Sequence, residues 1–203
     1  MTRVDPHIPP PTPLMTKEEI RLFAQDVRDG MDDSERAVLA QDLGFQLVQL
    51  PFFLSATCIM SYAPIRGEIS PAPALELRVK LMGETSTRIA HPRVTGHHEM
   101  EARVGTADML LEGSSGILEP DVTGVFVEPS DIDVVLVPGM AFDRRGFRVG
   151  YGKGFYDTFI ARLPRTAITV GLSYDETVVS YVPLEVHDRA VDYLVTPTAT
   201  HTC

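Results

Sequence analysis

Residues 132–157 read IDVVLVPGMAFDRRGFRVGYGKGFYD, and this stretch decides the fold. Its first six residues, Ile132–Val137, are apolar apart from Asp133 and stop at Pro138. A short apolar run bounded in this way suits a strand buried on both faces of a sheet. A loop with five glycines follows, Gly139 to Gly154, and the spacing after it predicts a helix from about Phe155 to Leu163. Thr166–Leu172 then reads as a second buried strand and Val191–Thr196 as a last one. Strand, helix and strand in succession imply parallel neighbours joined by crossovers.

The pattern extends towards the N-terminus. Thr16 and Glu19 have the spacing of a capping box, and Ile20, Phe23, Ala24 and Val27 continue at helical intervals to Gly30. Asp33 and Ser34 can cap a second helix that runs through Leu50 and closes at Pro51. Ala56–Tyr62 is rich in strand formers, and Ser70 and Pro71 suit the start of a helix ending at Gly83. Arg88–His91 reads as a short strand before Pro92, with further short strands near 100–104 and 108–111. The expected fold is α/β: a three-layer, open, largely parallel, Rossmann-like sheet with helices on both faces. Residues 1–15, with five prolines, are expected to be a flexible tail, and 16–203 a single domain.

The loop carries the chemistry. In open α/β sheets ligands bind at the carboxyl ends of strands, which is where it lies. Gly150, Gly152 and Gly154 let backbone N–H groups approach an anion, and the helix that follows adds free N–H groups. Arg148 can grip phosphate oxygens as a fork, and Lys153 acts as a point charge. The loop is not a P-loop: Phe147 stands where a glycine is required, and Gly154 where Ser or Thr is required. Nor is it a dinucleotide fingerprint, because its glycines alternate and lie about a dozen residues beyond the strand. Asp157 is close enough to the loop to meet the Mg²⁺ that accompanies a nucleoside triphosphate.

The whole loop resembles the main motif of the 5-formyltetrahydrofolate cyclo-ligase family. Pro138, Gly139, Ala141, Phe142, Asp143, Gly146, Arg148, Gly150, Gly152, Gly154, Tyr156 and Asp157 stand in register with it. Lys17-x-x-x-Arg21, Glu68, Pro92-Arg93, Gly116-Ile117-x-Glu119-Pro120 and Val182-Pro183-x-Glu185-x-His187-Asp188 resemble its other elements. The resemblance covers roughly residues 16–196 and implies ATP- and Mg²⁺-dependent cyclisation of 5-formyltetrahydrofolate. With the chemistry of the loop, the expected assignment is Lys17, Arg21, Arg148 and Lys153 on ATP phosphates, with Val149, Gly150, Tyr151, Gly152, Gly154 and Tyr156 around the nucleotide. Arg148 and Lys153 are expected to carry the catalytic role. Tyr62, Glu68, Gly152, Phe155 and Tyr156 are expected to face the reduced folate, and Asp157 and Asp188 to hold Mg²⁺. The departures are Ser115, where many members have an aromatic residue, Thr158 in place of an arginine, and the Ser70-Pro71 pair after Glu68-Ile69.

The formal net charge of −10 argues against a nucleic-acid partner. No apolar run is long enough to span a membrane, and no signal peptide is apparent, so a cytoplasmic monomer or weak homo-oligomer is expected. Cys58 and Cys203 are too few for a disulfide framework, and His97-His98 offers no zinc spacing. Two other classes stay open: a nucleotide- or folate-binding protein without turnover, and a dinucleotide oxidoreductase.

Overall fold

The computed structural model describes residues 15–83, 87–105, 109–113 and 117–203. The proline-rich stretch 1–14, Ser115 and Gly116 lie outside the described residues. The main sheet contains β1 (Cys58–Met60), β2 (Arg88–Gly96), β3 (Glu99–Val104), β6 (Phe126–Val127), β7 (Val134–Val137), β10 (Ile168–Leu172), β12 (Tyr193–Val195) and β13 (Thr200–Thr202). Their spatial order is β13-β12-β10-β7-β1-β2-β3-β6. The five central strands, β12 to β2, run parallel, while β13, β3 and β6 join antiparallel at the two edges.

The core follows from the period of a strand. Val134 and Leu136 point into one apolar cluster, with Ile59, Val170 and Leu172, under α2 (Asp33–Leu47), α3 (Pro51–Ser55) and α4 (Ala72–Met82). Val135 and Val137 point into the other, with Cys58, Met60 and Leu194, under Phe159 of α5 (Phe155–Ile160). Each of these β7 side chains is at most 1% exposed, and full burial contributes roughly 1.5–3 kcal/mol apiece. Helices therefore cover both faces, as expected. A third cluster seats Ile20 and Ala24 of α1 (Lys17–Asp29) on a small sheet of β8 (Ala141–Asp143), β9 (Arg148–Val149) and β11 (Val178–Val179).

Several boundaries differ from expectation for physical reasons. The central strand starts at Val134 because Asp133 turns its carboxylate to the Thr57 and Cys58 N–H groups, at 2.6 and 3.0 Å, tying the starts of β1 and β7 together. β2 continues through Pro92 to Gly96. Beyond Ala90 it has no β1 partner, so the missing proline N–H costs no bond on that side. The second helix stops at Leu47, and Pro51 opens α3 instead of merely ending α2. α5 is six residues long and stops at Ile160, three short of the expected end. The glycine loop contains β8 and β9 within it. A short hairpin, β4 (Leu110–Glu112) with β5 (Leu118–Pro120), completes the strands. The capping box at the start of α1 is present as read, with the Thr16 N–H donating to Glu19 at 2.8 Å. Among the described residues no helix is long and apolar enough to cross a membrane.

Candidate active site

The chain from β1 leads to β2 on one side, whereas β7 leads to β10 and β12 on the other. The sheet therefore reverses its direction of winding between β1 and β7, and a crevice opens beyond their carboxyl ends. A cavity of about 650 Å³ occupies it. Tyr62 enters from the end of β1, Pro138 and Gly139 from the end of β7. Every candidate residue named from the sequence lines this cavity except Val149. Val149 is fully buried beneath α1, so its side chain packs the support of the loop and does not face the cavity.

The loop is held rigid by packing that explains the motif. The Phe142 ring lies between Gly139 and Gly171: a Cβ on either would fall 2.7 or 2.4 Å from ring carbons. Asp143 is 0% exposed and accepts from the N–H groups of Arg145, Phe147 and Val182 at 3.0, 3.2 and 2.9 Å. It is a loop brace, out of reach of the cavity. Gly152 and Gly154 have φ of +83° and +65°, conformations that an L side chain resists.

Part of the cavity lining is charged. Lys17 and Arg21 stand one turn apart on α1, which places both on the face turned to the loop. Arg21 donates to the Gly150 carbonyl at 2.8 Å. Lys17 lies 2.7 Å from Asp188 and 3.2 Å from Glu185. Burial acts to raise the Asp188 carboxyl, but Lys17 and the Glu185 N–H outweigh it and hold the group below the usual carboxylate range. Arg148, 8% exposed, pairs with Asp157 at 3.0 Å, and Asp157 also accepts from the Arg189 N–H at 3.1 Å. Lys153 is exposed at the rim, and its carbonyl accepts from His98 at the β2–β3 turn.

Asp157 and Asp188 are thus both on the cavity wall, each against a cation. The donor atoms that approach one another within 4.8 Å belong to Glu185, His187 and Asp188, a group that does not include Asp157. This carboxylate-rich set suits a hard cation such as Mg²⁺, which takes oxygen ligands and retains water.

The lining also carries apolar and aromatic side chains. Tyr62 is 4% exposed and spends its hydroxyl proton on the Ile69 carbonyl at 2.6 Å. Phe155 and Tyr156 pack from the start of α5. Among them sits Glu68, 7% exposed, accepting from the Ile65 N–H at 3.0 Å. Burial pushes its carboxyl up to about 7, against the pull of the Ile65 N–H, Arg28 and Tyr151. The same burial raises the Tyr156 phenol far above its ordinary value. A buried carboxyl poised near neutrality in a crevice is a mark of functional sites.

Sequence reasoning did not assign Arg66 or Glu119 of the wall, or Arg28 behind it, to the site. Arg66 stacks on the Tyr151 ring, 5.4 Å from its centroid. Glu119, read only as part of a motif, reaches the cavity with its carboxyl raised by burial. Arg28 lies just behind the wall, 1% exposed. Its one signal in the sequence is position: it follows the buried Ala24 by four residues, on the stripe where an apolar side chain is expected.

Known proteins resemble this chain over most of its length. Residues 14–197 match the model of the 5-formyltetrahydrofolate cyclo-ligase family. The 5-formyltetrahydrofolate cyclo-ligase of Saccharomyces cerevisiae is 39% identical over 112 residues, 52% of this chain and 51% of that one. That of Mycolicibacterium smegmatis is 28% identical over 149 residues, 71% of this chain and 75% of that one. The alignment thus spans about half the length of the yeast relative and three quarters of the mycobacterial one. Among solved structures, the 5,10-methenyltetrahydrofolate synthetase of Aquifex aeolicus superposes with a TM-score of 0.78 at 33% identity, covering 93% of both chains. The Mycoplasma pneumoniae synthetase shares the fold, with a TM-score of 0.73 at 21% identity over 90% of this chain and 99% of that one. Fold, loop and family match agree, and the chain belongs to the 5-formyltetrahydrofolate cyclo-ligase family.

Proposed function

We propose that the chain converts 5-formyltetrahydrofolate to 5,10-methenyltetrahydrofolate, consuming ATP with Mg²⁺ and releasing ADP and phosphate. The observation that carries this reading is the mixed lining of one cavity: cations from α1 and the glycine loop together with aromatic rings and a buried carboxylate. A polyphosphate suits the cations and a reduced pterin the rings and carboxylate.

The chemical obstacle is a formyl oxygen that cannot leave as hydroxide at neutral pH. In this reading the γ-phosphoryl group passes from ATP to that oxygen, N10 of the same folate attacks the formyl carbon and releases its proton to solvent, and phosphate departs with the oxygen. No enzyme nucleophile is needed. The protein's task is alignment and charge stabilisation. Arg148, Lys153, Lys17 and Arg21 neutralise the phosphate oxygens, and Gly150 to Gly154 allow the backbone to come close. Lys17 and Arg148, now paired with Asp188 and Asp157, would exchange these partners for phosphate. Asp157 and Asp188 would hold Mg²⁺, with Glu185 and His187 beside Asp188; when bound, the ion neutralises phosphate charge. Glu68 accepts from N–H groups of the folate, while Tyr62, Phe155 and Tyr156 line its ring system.

The test is the near-ultraviolet absorbance of the methenyl product after 5-formyltetrahydrofolate, ATP and Mg²⁺ meet the purified protein. A rise that requires ATP is expected. No rise, from protein shown separately to bind ATP, would overturn the proposal in favour of a binding protein without turnover.

A further inference from the structure

The pair His97-His98, which offered no zinc spacing in the sequence, forms the tip of the β2–β3 hairpin, and that tip touches the glycine loop. His98 Nδ1 donates to the Lys153 carbonyl. A carbonyl can only accept, so the ring carries a proton on Nδ1 whether it is neutral or charged. A Cβ on Gly154 would lie 3.6 Å from the same nitrogen. The His97 ring stands edge-on to that of His98, with centroids 4.0 Å apart.

The backbone at this tip is unusual. His98 has φ of +61° in the two-residue turn between Gly96 and Glu99. Glycine or asparagine ordinarily fills such a position, because other side chains are strained there. The ladder also shifts register between Val94 and Gly96, and a bulge of this kind bends a strand and re-aims the residues beyond it. Two local departures thus accompany one hydrogen bond across 55 residues. The base of the hairpin is fixed. Met100 of β3, 4% exposed, packs in the cluster that Phe155 and Tyr156 join from α5, and its carbonyl accepts from Arg162 at 3.4 Å. The His98 side of the bond is exposed, so water can replace it at little cost to folding. Its consequence lies in where it holds the loop.

We propose that His98 is a positioning residue for the nucleotide: its Nδ1–H holds the Lys153 carbonyl and fixes the Gly152–Gly154 turn, so that Lys153 and the loop N–H groups meet the phosphates of ATP in a set geometry. This rests on the reading that the loop binds those phosphates. Gly152 and Gly154 both have positive φ, and glycines leave such a stretch wide conformational freedom unless something outside it ties it down. Arg21 ties the Gly150 carbonyl at 2.8 Å, and His98 ties the loop three residues on.

The experiment uses the full chain and reads equilibrium affinity for ATP with Mg²⁺, in the absence of folate. His98→Gly removes the donor and relaxes the backbone. His98→Asn keeps an N–H at the place of Nδ1 and tolerates the same φ. Affinity should fall about fivefold in His98→Gly, the scale of one hydrogen bond, and recover to within about twofold of wild type in His98→Asn. Affinity for 5-formyltetrahydrofolate and the urea unfolding midpoint should stay at the wild-type values in both variants, because the ring is exposed and is not part of the cavity wall. Unchanged ATP affinity in His98→Gly, or a loss as large in His98→Asn, would overturn the inference. An equal loss of folate affinity or of stability would also overturn it and leave His98 a turn residue. Product formation is read separately. If ATP affinity follows the donor but the wild type forms no methenyl product, the loop inference stands and the cyclo-ligase reading falls. A wild type that binds no ATP would overturn both.

Discussion

Replacing Glu68 by Gln should make the protein more stable at alkaline pH and scarcely change it near pH 4.5. Burial holds the folded carboxyl at about 7 against the ordinary 4.5. A group raised in the folded state contributes stability below its unfolded value and loses it as pH climbs through the folded value. Between about pH 4.5 and 8 the folded wild type must release a proton that the unfolded chain has already given up. With about 2.5 units between the two states and 1.36 kcal/mol per unit, the loss over that window is about 3 kcal/mol. Gln carries no titrating proton, and its amide oxygen can still accept from the Ile65 N–H. The difference in urea unfolding free energy between Glu68→Gln and wild type should therefore widen by about 3 kcal/mol across the window, since the other titrating groups are common to both. A difference that stays flat from acid to alkali would mean that Glu68 titrates normally, and would remove the physical basis of its assignment to the folate. If the difference grows while folate affinity in the variant collapses, the protein is keeping a costly charge for function.

Other outcomes follow from the same geometry. Lys153→Ala and Asp157→Ala should each lose most product formation, by about 10²-fold or more, while circular dichroism shows an intact fold; full activity in both would remove the phosphate and metal roles. Gly171→Ala puts a methyl 2.4 Å from the Phe142 ring and should cost about 1–3 kcal/mol in urea unfolding, whereas a neutral result would show that the ring can shift. Arg78 donates to the carbonyls of Phe53, Leu54 and Ala56 at 2.7–2.8 Å. Its replacement by Met should cost about 2–4 kcal/mol, and an unchanged unfolding midpoint would mean that water reaches those groups. Thr16→Ala removes the oxygen that caps Glu19 N–H, so thermal unfolding should reveal a loss of about 1 kcal/mol.

What could be read in the sequence was what local period and local chemistry specify. The apolar run at 132–137 implied burial on both faces because side chains alternate along a strand, and the four residues that form β7 do divide between two clusters. The capping box and the alternating glycines were equally local signals, and the long loop motif carried the family. Pairings at long range were beyond it. Asp143 braces its own turn through the Arg145 and Phe147 N–H groups, but its tie to Val182, thirty-nine residues on, could not be read locally. Val149 read as part of a ligand loop, but the arrival of α1 over β9 buries it.

The sequence by itself determined the α/β order, the parallel centre of the sheet and the residue types able to hold phosphate. Tertiary structure decided which of them meet. Lys17 comes to Asp188 across 171 residues and Arg28 to Gly139 across 111. Such partners are selected by the reversal of strand order between β1 and β7, which brings α1, the glycine loop and the Glu68 turn to one crevice. The charge state of Glu68 was decided there too. An isolated glutamate is an ordinary surface acid, and only the closing of Tyr62, Tyr151 and Tyr156 around it removes the water that would keep it so.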